Sequence, residues 1–270
     1  MEKMSEKWQI FSEFTKFSNL LSYAEFKEGQ AIVETFVEHA FLSMKHWILL
    51  KKRILHALSR VIDKPMEDVE RGVSFTILLH DVGKLTTAYQ DYLRKRKLGM
   101  EAKVGFNHEI ASIPVILNYA EQVGIDNELS RIVAGAVLFH HEALRPHNQR
   151  LIINNLISPL HNKYPNGVVR FAPSSNELVQ QLLLKFDLLK SHEELPILDF
   201  SIYSLKVKLV ELFYAYNPEN PVNLHRVRLR VSAIQHILSV CDNRAASECR
   251  PKKDSPFIRE LLEGGWKIWS

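Results

Sequence analysis

The stretch Leu78-Leu79-His80-Asp81-Val82-Gly83-Lys84-Leu85 decides how the rest of the chain is read. An apolar run ends on an adjacent imidazole and carboxylate, and a glycine and a lysine follow after one valine. Neighbouring residues on a helix point about 100° apart, so His80 and Asp81 share one cavity only if it sits over the helix end. Gly83, just beyond, predicts a loosened backbone at that place.

Working outward, the same two residue types recur in a fixed order. His39 comes first, then His80-Asp81, His108 in FNHEIAS, His140-His141 in LFHHE, and Asp242 in SVCDNRAAS. Each lies in or beside an apolar stretch, so the side chains can converge inside a helical bundle. Imidazole and carboxylate are good ligands for divalent transition metals, and seven of them exceed what one ion needs. The expectation is a two-metal hydrolytic site. Asp81, with two oxygens, is expected to bridge ions roughly 3.5–4 Å apart. His39, His80 and Asp242 then complete one sphere, and His108, His140 and His141 the other. Two such ions bring the pKa of water toward neutrality for attack on phosphorus. Imidazole-rich ligation favours manganese, iron, nickel or cobalt, with magnesium also admitted.

Periodicity predicts helices over 31–62, with Val33, Val37, Ala40, Met44 and Ile48 on one face, and from Pro65 to His80. A short helix capped by Thr86 or Thr87 runs through Arg96 and ends at Leu98-Gly99. Further helices are expected over 107–123, where Pro114 marks a kink or the true start, and from Asp126-Asn127 to about His141. The last three cover 176–190, 196–216 and 223–248. Residues 143–175 carry Arg145-Pro146, Ser158-Pro159, Tyr164-Pro165-Asn166-Gly167 and Pro173, and predict a loop-rich insertion near the mouth of the site. No segment alternates with period two. Because the candidate ligands extend from 39 to 242, no cut between them leaves a whole set. The reading is one all-α domain over 1–270.

Composition agrees with a globular chain: 46% hydrophobic, 24% charged, and no apolar run of membrane-spanning length. The N-terminus lacks a leader pattern, and the two cysteines, Cys241 and Cys249, form no CxxC pair. Both features suit a reducing cytoplasm. The net charge is +4 and the pI near 8.9, and the basic residues are clustered. Lys51-Lys52-Arg53 and Arg94-Lys95-Arg96-Lys97 flank the motif region and are the candidates for phosphate contacts. Arg226/Arg228/Arg230 and Arg250/Lys252/Lys253 form two further groups. His147 is a candidate for touching substrate. Glu109 and Glu142, each beside a candidate ligand, read as surface carboxylates or as orienters of the ligands.

The order H…HD…H…HH…D, with HDxGK as His80-Asp81-Val82-Gly83-Lys84, resembles the HD superfamily of metal-dependent phosphohydrolases over residues ~30–250. Within it the chain is most similar to the stand-alone HD-domain nuclease of type I CRISPR interference. That resemblance implies a helical HD bundle that cuts single-stranded DNA, with RNA as an alternative substrate, beside a CRISPR helicase and an RNA-guided surveillance complex. It assigns His39, His80, Asp81 and Asp242 to one metal, and Asp81, His108, His140 and His141 to the other. Asp81 and Lys84 become the catalytic pair, Lys84 steadying the scissile phosphate. No Walker-type phosphate loop is present. The same ligand order serves cyclic-dinucleotide phosphodiesterases, but the DGxGYP stretch expected after HHE is replaced by Ala143-Leu144-Arg145-Pro146-His147. A phosphohydrolase of small nucleotides, and a non-catalytic HD scaffold, remain the rival readings.

Overall fold

The computed structural model describes residues 13–141, 149–190, 195–215 and 221–250. Within them the chain is a helical bundle with two small antiparallel pairings of strands. The first element after a 3-10 turn at Thr15–Phe17 is a hairpin, β1 (Leu21–Lys27) and β2 (Gln30–Thr35). Glu28 and Gly29 between them have φ of 52° and 79°. Two left-handed residues are what a two-residue hairpin loop needs to match the strand twist.

That hairpin corrects the helix expected from Ala31. Helix α1 spans Phe36–Ile62 and starts behind Thr35, whose extended backbone and capping box with Glu38 satisfy the first free N–H groups. Val33 is therefore a strand residue. Helix α2 (Met66–Leu79) follows Pro65 and is buried on almost every side from Gly72 onward, which makes it the centre of the bundle. A 3-10 turn over Val82–Leu85 connects it to α3 (Thr87–Lys97).

Helix α4 (His108–Gln122) keeps Pro114 inside it, so the proline marks no start, and α5 (Asn127–Leu138) is capped by the Asp126 carboxylate. The stretch expected to be irregular contains α6 (Gln149–Lys163), with Ile153, Ile157, Leu160 and Tyr164 buried at helical spacing. After it, β3 (Val168–Val169) pairs with β4 (Phe200–Ser201), and residues 170–172 lie against the end of the HD turn: Thr87 N–H donates to Arg170 O and Ala172 N–H to Leu85 O. Helices α7 (Ser175–Lys185), α8 (Ile202–Ala215) and α9 (Pro221–Cys249) complete the described bundle; α8 starts later than expected because Phe200–Ser201 are in β4.

The main core runs from Phe17, Phe36 and Trp47 to Ile234, Leu238 and Cys241, while Leu93 of α3 packs with Leu21 and Ala24 of β1 in a second, small cluster. At the α1–α2 turn, Asp63 takes ion pairs from Arg226 and Arg230, and Lys64 pairs with Asp126 and Glu128. Two of the three arginines of the 226–230 group thus brace α9 to the bundle. Among the described residues no helix is long and apolar enough to cross a membrane.

Candidate metal centre

Helix ends supply the site. His80 is the C-cap of α2, and His140 and His141 follow the end of α5. The last turn of a helix leaves carbonyls without partners. His80 Nδ1–H donates to Ile77 O at 2.9 Å and His140 Nδ1–H to Val137 O at 2.6 Å. A carbonyl only accepts, so both rings carry a proton on Nδ1 and turn Nε2 into the cavity.

His108 opens α4 and His39 lies in the first turn of α1. Asp242 reaches the same place from α9, two turns before its end. Asp199 is engaged elsewhere and accepts the Phe171 N–H at 2.8 Å.

Two groups form. His39, His80, Asp81 and Asp242 have ligand atoms within 4.8 Å of one another, and so do His108, Glu109, His140 and His141. His39 Nε2 is 3.1 Å from Asp242 Oδ1 and 3.4 Å from Asp81 Oδ2. Asp81 Oδ1 is 2.9 Å from His108 Nε2, so this carboxylate reaches both groups. Lys84 Nζ donates to Asp81 Oδ2 at 2.6 Å, and Ser22 Oγ from β1 lies 3.4 Å from the same oxygen.

Every ligand candidate is buried except Asp242, which is partly covered, and His141, whose side chain is 46% exposed. The second group therefore opens to solvent on one side.

The donor set fits divalent cations. His39 Nε2, His80 Nε2, Asp81 Oδ1, His108 Nε2 and His140 Nε2 are buried and make no aligned hydrogen bond. Buried acceptors gathered around common points are costly unless a cation or proton meets them. Burial alone would drive Asp81 toward the neutral acid, yet Lys84, His80 and His108 hold it well below the usual carboxylate range. Asp242 is likewise held low against burial by His39 and His80. Burial pushes His108 down to about 4 and depresses His140 and His141, leaving those rings neutral as ligation requires. Burial would depress His39 too, but Asp242, Glu34 and Asp81 raise it to about 9. Asp242 and Asp81, which face the same ring nitrogen, are the carboxylates that would attract an ion there.

Gly83 does more than loosen the backbone. A Cβ on it would lie 2.0 Å from His108 O and 3.0 Å from Ser112 N, because the HD turn is pressed against the first turn of α4. The Ser112 hydroxyl accepts the Gly83 N–H at 2.9 Å and lies 2.9 Å from His80 O. Gln90 performs a similar task toward the hairpin, pairing with the N–H and C=O of Leu21 and with Lys84 O.

Sequence reasoning missed Ser112, Gln90, Ser22 and Glu34. It also read Glu109 as a surface carboxylate at its simplest, whereas the residue is buried among the histidines of the second group. Its signal was its place beside His108 at a helix start. Glu142, His147, Lys252 and Lys253 fall outside the described residues.

The basic clusters differ in position. Lys51–Arg53 lie more than ten residues along α1 from His39, roughly 20 Å at 1.5 Å per residue, and Lys51 is ion-paired with Glu70. Arg94–Lys97 end the helix that begins beside the HD turn; Arg94 pairs with Asp91, and Arg96 lies near enough to Tyr23 to influence its hydroxyl.

A family model described as "Cas3, HD domain" matches residues 36–189. A protein of Pyrococcus furiosus named "CRISPR-associated endonuclease Cas3-HD" is 28% identical over 116 residues, 41% of this chain and 47% of that protein. One of the same name from Methanocaldococcus jannaschii is 27% identical over 116 residues, 41% of this chain and 46% of the other. The chain thus spans about half the length of the relatives it matches. The solved structure of the CRISPR-associated Cas3 HD domain protein from Methanocaldococcus jannaschii superposes with a TM-score of 0.54 at 18% identity, over 77% of this chain and 95% of that one. The likeness in structure establishes the fold.

Proposed function

The chain belongs to the Cas3 HD-domain family, and from that premise we propose that it is a metal-dependent nuclease hydrolysing phosphodiester bonds of single-stranded DNA. The observation that carries the reading is a single buried carboxylate, Asp81, lying within reach of two His-rich groups, one of which is open to solvent. When bound, two divalent transition-metal ions supply Lewis acidity and an activated water for in-line displacement at phosphorus. His39, His80, Asp81 and Asp242 would hold one, and His108, His140 and His141, with Asp81 or Glu109 as the carboxylate, the other.

The chain's own residues do the rest. The Nδ1–H bonds of His80 and His140 fix ring orientation, and Lys84 neutralises Asp81 while keeping further ammonium donors for a substrate phosphate. His141, half exposed, lines the side from which a strand would approach. Arg94, Lys95, Arg96 and Lys97 carry the strand's backbone in this reading, ahead of Lys51, Lys52 and Arg53, which lie farther along the bundle. We take residues 1–270 as one nuclease domain, acting in the cytoplasm beside a separate CRISPR helicase and an RNA-guided surveillance complex.

The test is incubation of the purified chain with labelled single-stranded DNA, cyclic dinucleotides and dNTPs under Mn²⁺, Ni²⁺, Co²⁺ or Mg²⁺. The expected result is DNA cleavage with the transition metals and little hydrolysis of the small substrates. Hydrolysis of the small substrates with DNA left intact would move the assignment to a nucleotide phosphohydrolase. Inactivity on all of them, with partner binding retained, would favour the scaffold reading.

A further inference from the structure

His39 occupies a place that His80 and His140 do not share. Those two sit at helix C-termini, where last-turn carbonyls outside the regular helical ladder accept Nδ1–H. His39 lies in the first turn of α1, where the free backbone groups are N–H donors and no carbonyl can serve. Its Nδ1 instead meets Glu34 Oε1 at 2.8 Å. Glu34 is 1% exposed and comes from β2, just before the N-cap. A buried carboxylate is costly unless paired, and Arg250 pairs with its other oxygen through two nitrogens, at 2.7 and 3.1 Å. The Arg250 guanidinium in turn lies 4.1 Å over the ring of Tyr23 in β1. Arg250 directly follows α9, the helix that carries Asp242.

We propose that Glu34 is a positioning residue for His39: its carboxylate holds the Nδ1 proton so that Nε2 faces the first ion, and Arg250, clasped by Tyr23, holds that carboxylate charged and in place. The inference rests on the nuclease reading, since the ion it serves is the one that reading requires. A carboxylate behind a ligating histidine fixes the ring and raises its basicity, and loss of such a partner costs roughly 10–100-fold in metal affinity. The chain of contacts also ties the end of α9 to the start of α1. Two ligands from distant parts of the sequence, His39 and Asp242, are thereby kept in register.

The test is Co²⁺ titration of the full chain by visible absorbance, with the Nδ1–H of Co²⁺-bound His39 followed as a shifted, exchangeable proton resonance. In Glu34→Ala, one Co²⁺ step should weaken by about 10–100-fold and the His39 proton should exchange with solvent far faster. Glu34→Gln, which can still accept the proton without the charge, should fall between Glu34→Ala and wild type. Arg250→Ala should weaken the same step, and Arg250→Lys should recover part of it. A role confined to folding would lower the melting temperature and leave both readouts alone. Unchanged Co²⁺ affinity and proton exchange in folded Glu34→Ala would overturn the inference. If that variant does not fold, unchanged values in both Glu34→Gln and Arg250→Ala would do so. Wild-type protein that takes up no Co²⁺ would overturn the two-ion reading, and this inference with it.

Discussion

Replacing Gly83 by alanine tests how the HD turn is held. The added Cβ would fall 2.0 Å from His108 O, 2.9 Å from His108 C and 3.0 Å from Ser112 N. All three are backbone atoms, so no rotamer change relieves the overlap, and the first turn of α4 must move away from the turn that carries His80 and Asp81. Overpacking of this kind costs about 1–3 kcal/mol, and a weakened Gly83–Ser112 hydrogen bond adds about 1 kcal/mol. The opposing gain, from a less flexible unfolded chain, is about 0.4–1 kcal/mol and loses to the clash. A net loss of about 2 kcal/mol corresponds to roughly 6 °C in melting temperature for a chain of this size.

His108 and Glu109 would be displaced with the helix, so DNA cleavage should fall further, by about 100-fold for a shift near 1 Å. Gly124→Ala is the control. Its φ of 72° carries a backbone penalty of about 1–2 kcal/mol, but nothing lies within 4 Å of its Cβ. It should lower the melting temperature modestly and leave cleavage unchanged. Circular dichroism melts and initial rates of cleavage measure both effects. A Gly83→Ala protein with wild-type melting and cleavage would mean that contact with α4 does not hold the HD turn.

Asp81→Asn keeps the side-chain size and an oxygen for Lys84 but loses the charge shared by the two groups. Cleavage of single-stranded DNA should drop to background while the circular dichroism spectrum is retained. Glu109→Gln tests the buried carboxylate of the second group: Mn²⁺ affinity should weaken roughly 10-fold or more, and an unchanged value would return Glu109 to a purely structural place. Replacing Arg94, Lys95, Arg96 and Lys97 together by alanine should flatten the salt dependence of cleavage at sub-saturating DNA, by roughly 0.7 in log–log slope for each lost phosphate contact. Hydrolysis of a small model phosphodiester should hardly change, and an equal loss on both substrates would assign the cluster to the fold.

The helical architecture was legible because apolar residues recur at helical spacing in long segments, and the Asp126 cap marks where one begins; Thr86 takes the N-cap position of α3, but its hydroxyl donates to Gly83 O instead of capping the helix. The ligand candidates were legible for another reason: imidazole and carboxylate are costly to bury, so seven of them beside apolar runs need a shared purpose. The hairpin was not, because Leu21–Thr35 offers two short strands whose burial hardly alternates, joined by Glu-Gly in place of Asn-Gly or Asp-Gly. With the hairpin went Glu34, Ser22 and the true start of α1. In 143–175 the prolines and asparagines outweighed the spacing of Ile153, Ile157, Leu160 and Tyr164, although Pro159 sits inside α6. Ser112 and Gln90 join elements far apart in the chain, and no local pattern signals such bonds.

Counting Mn²⁺ per chain after reconstitution and desalting tests whether a pair of ions is held on either side of Asp81. Wild-type protein should carry about two ions per chain, as two-metal hydrolases do, and the His140→Ala/His141→Ala double variant about one or fewer. A wild-type plateau at about one ion, with DNA cleavage at its full rate, would mean a single-ion HD site in place of the pair.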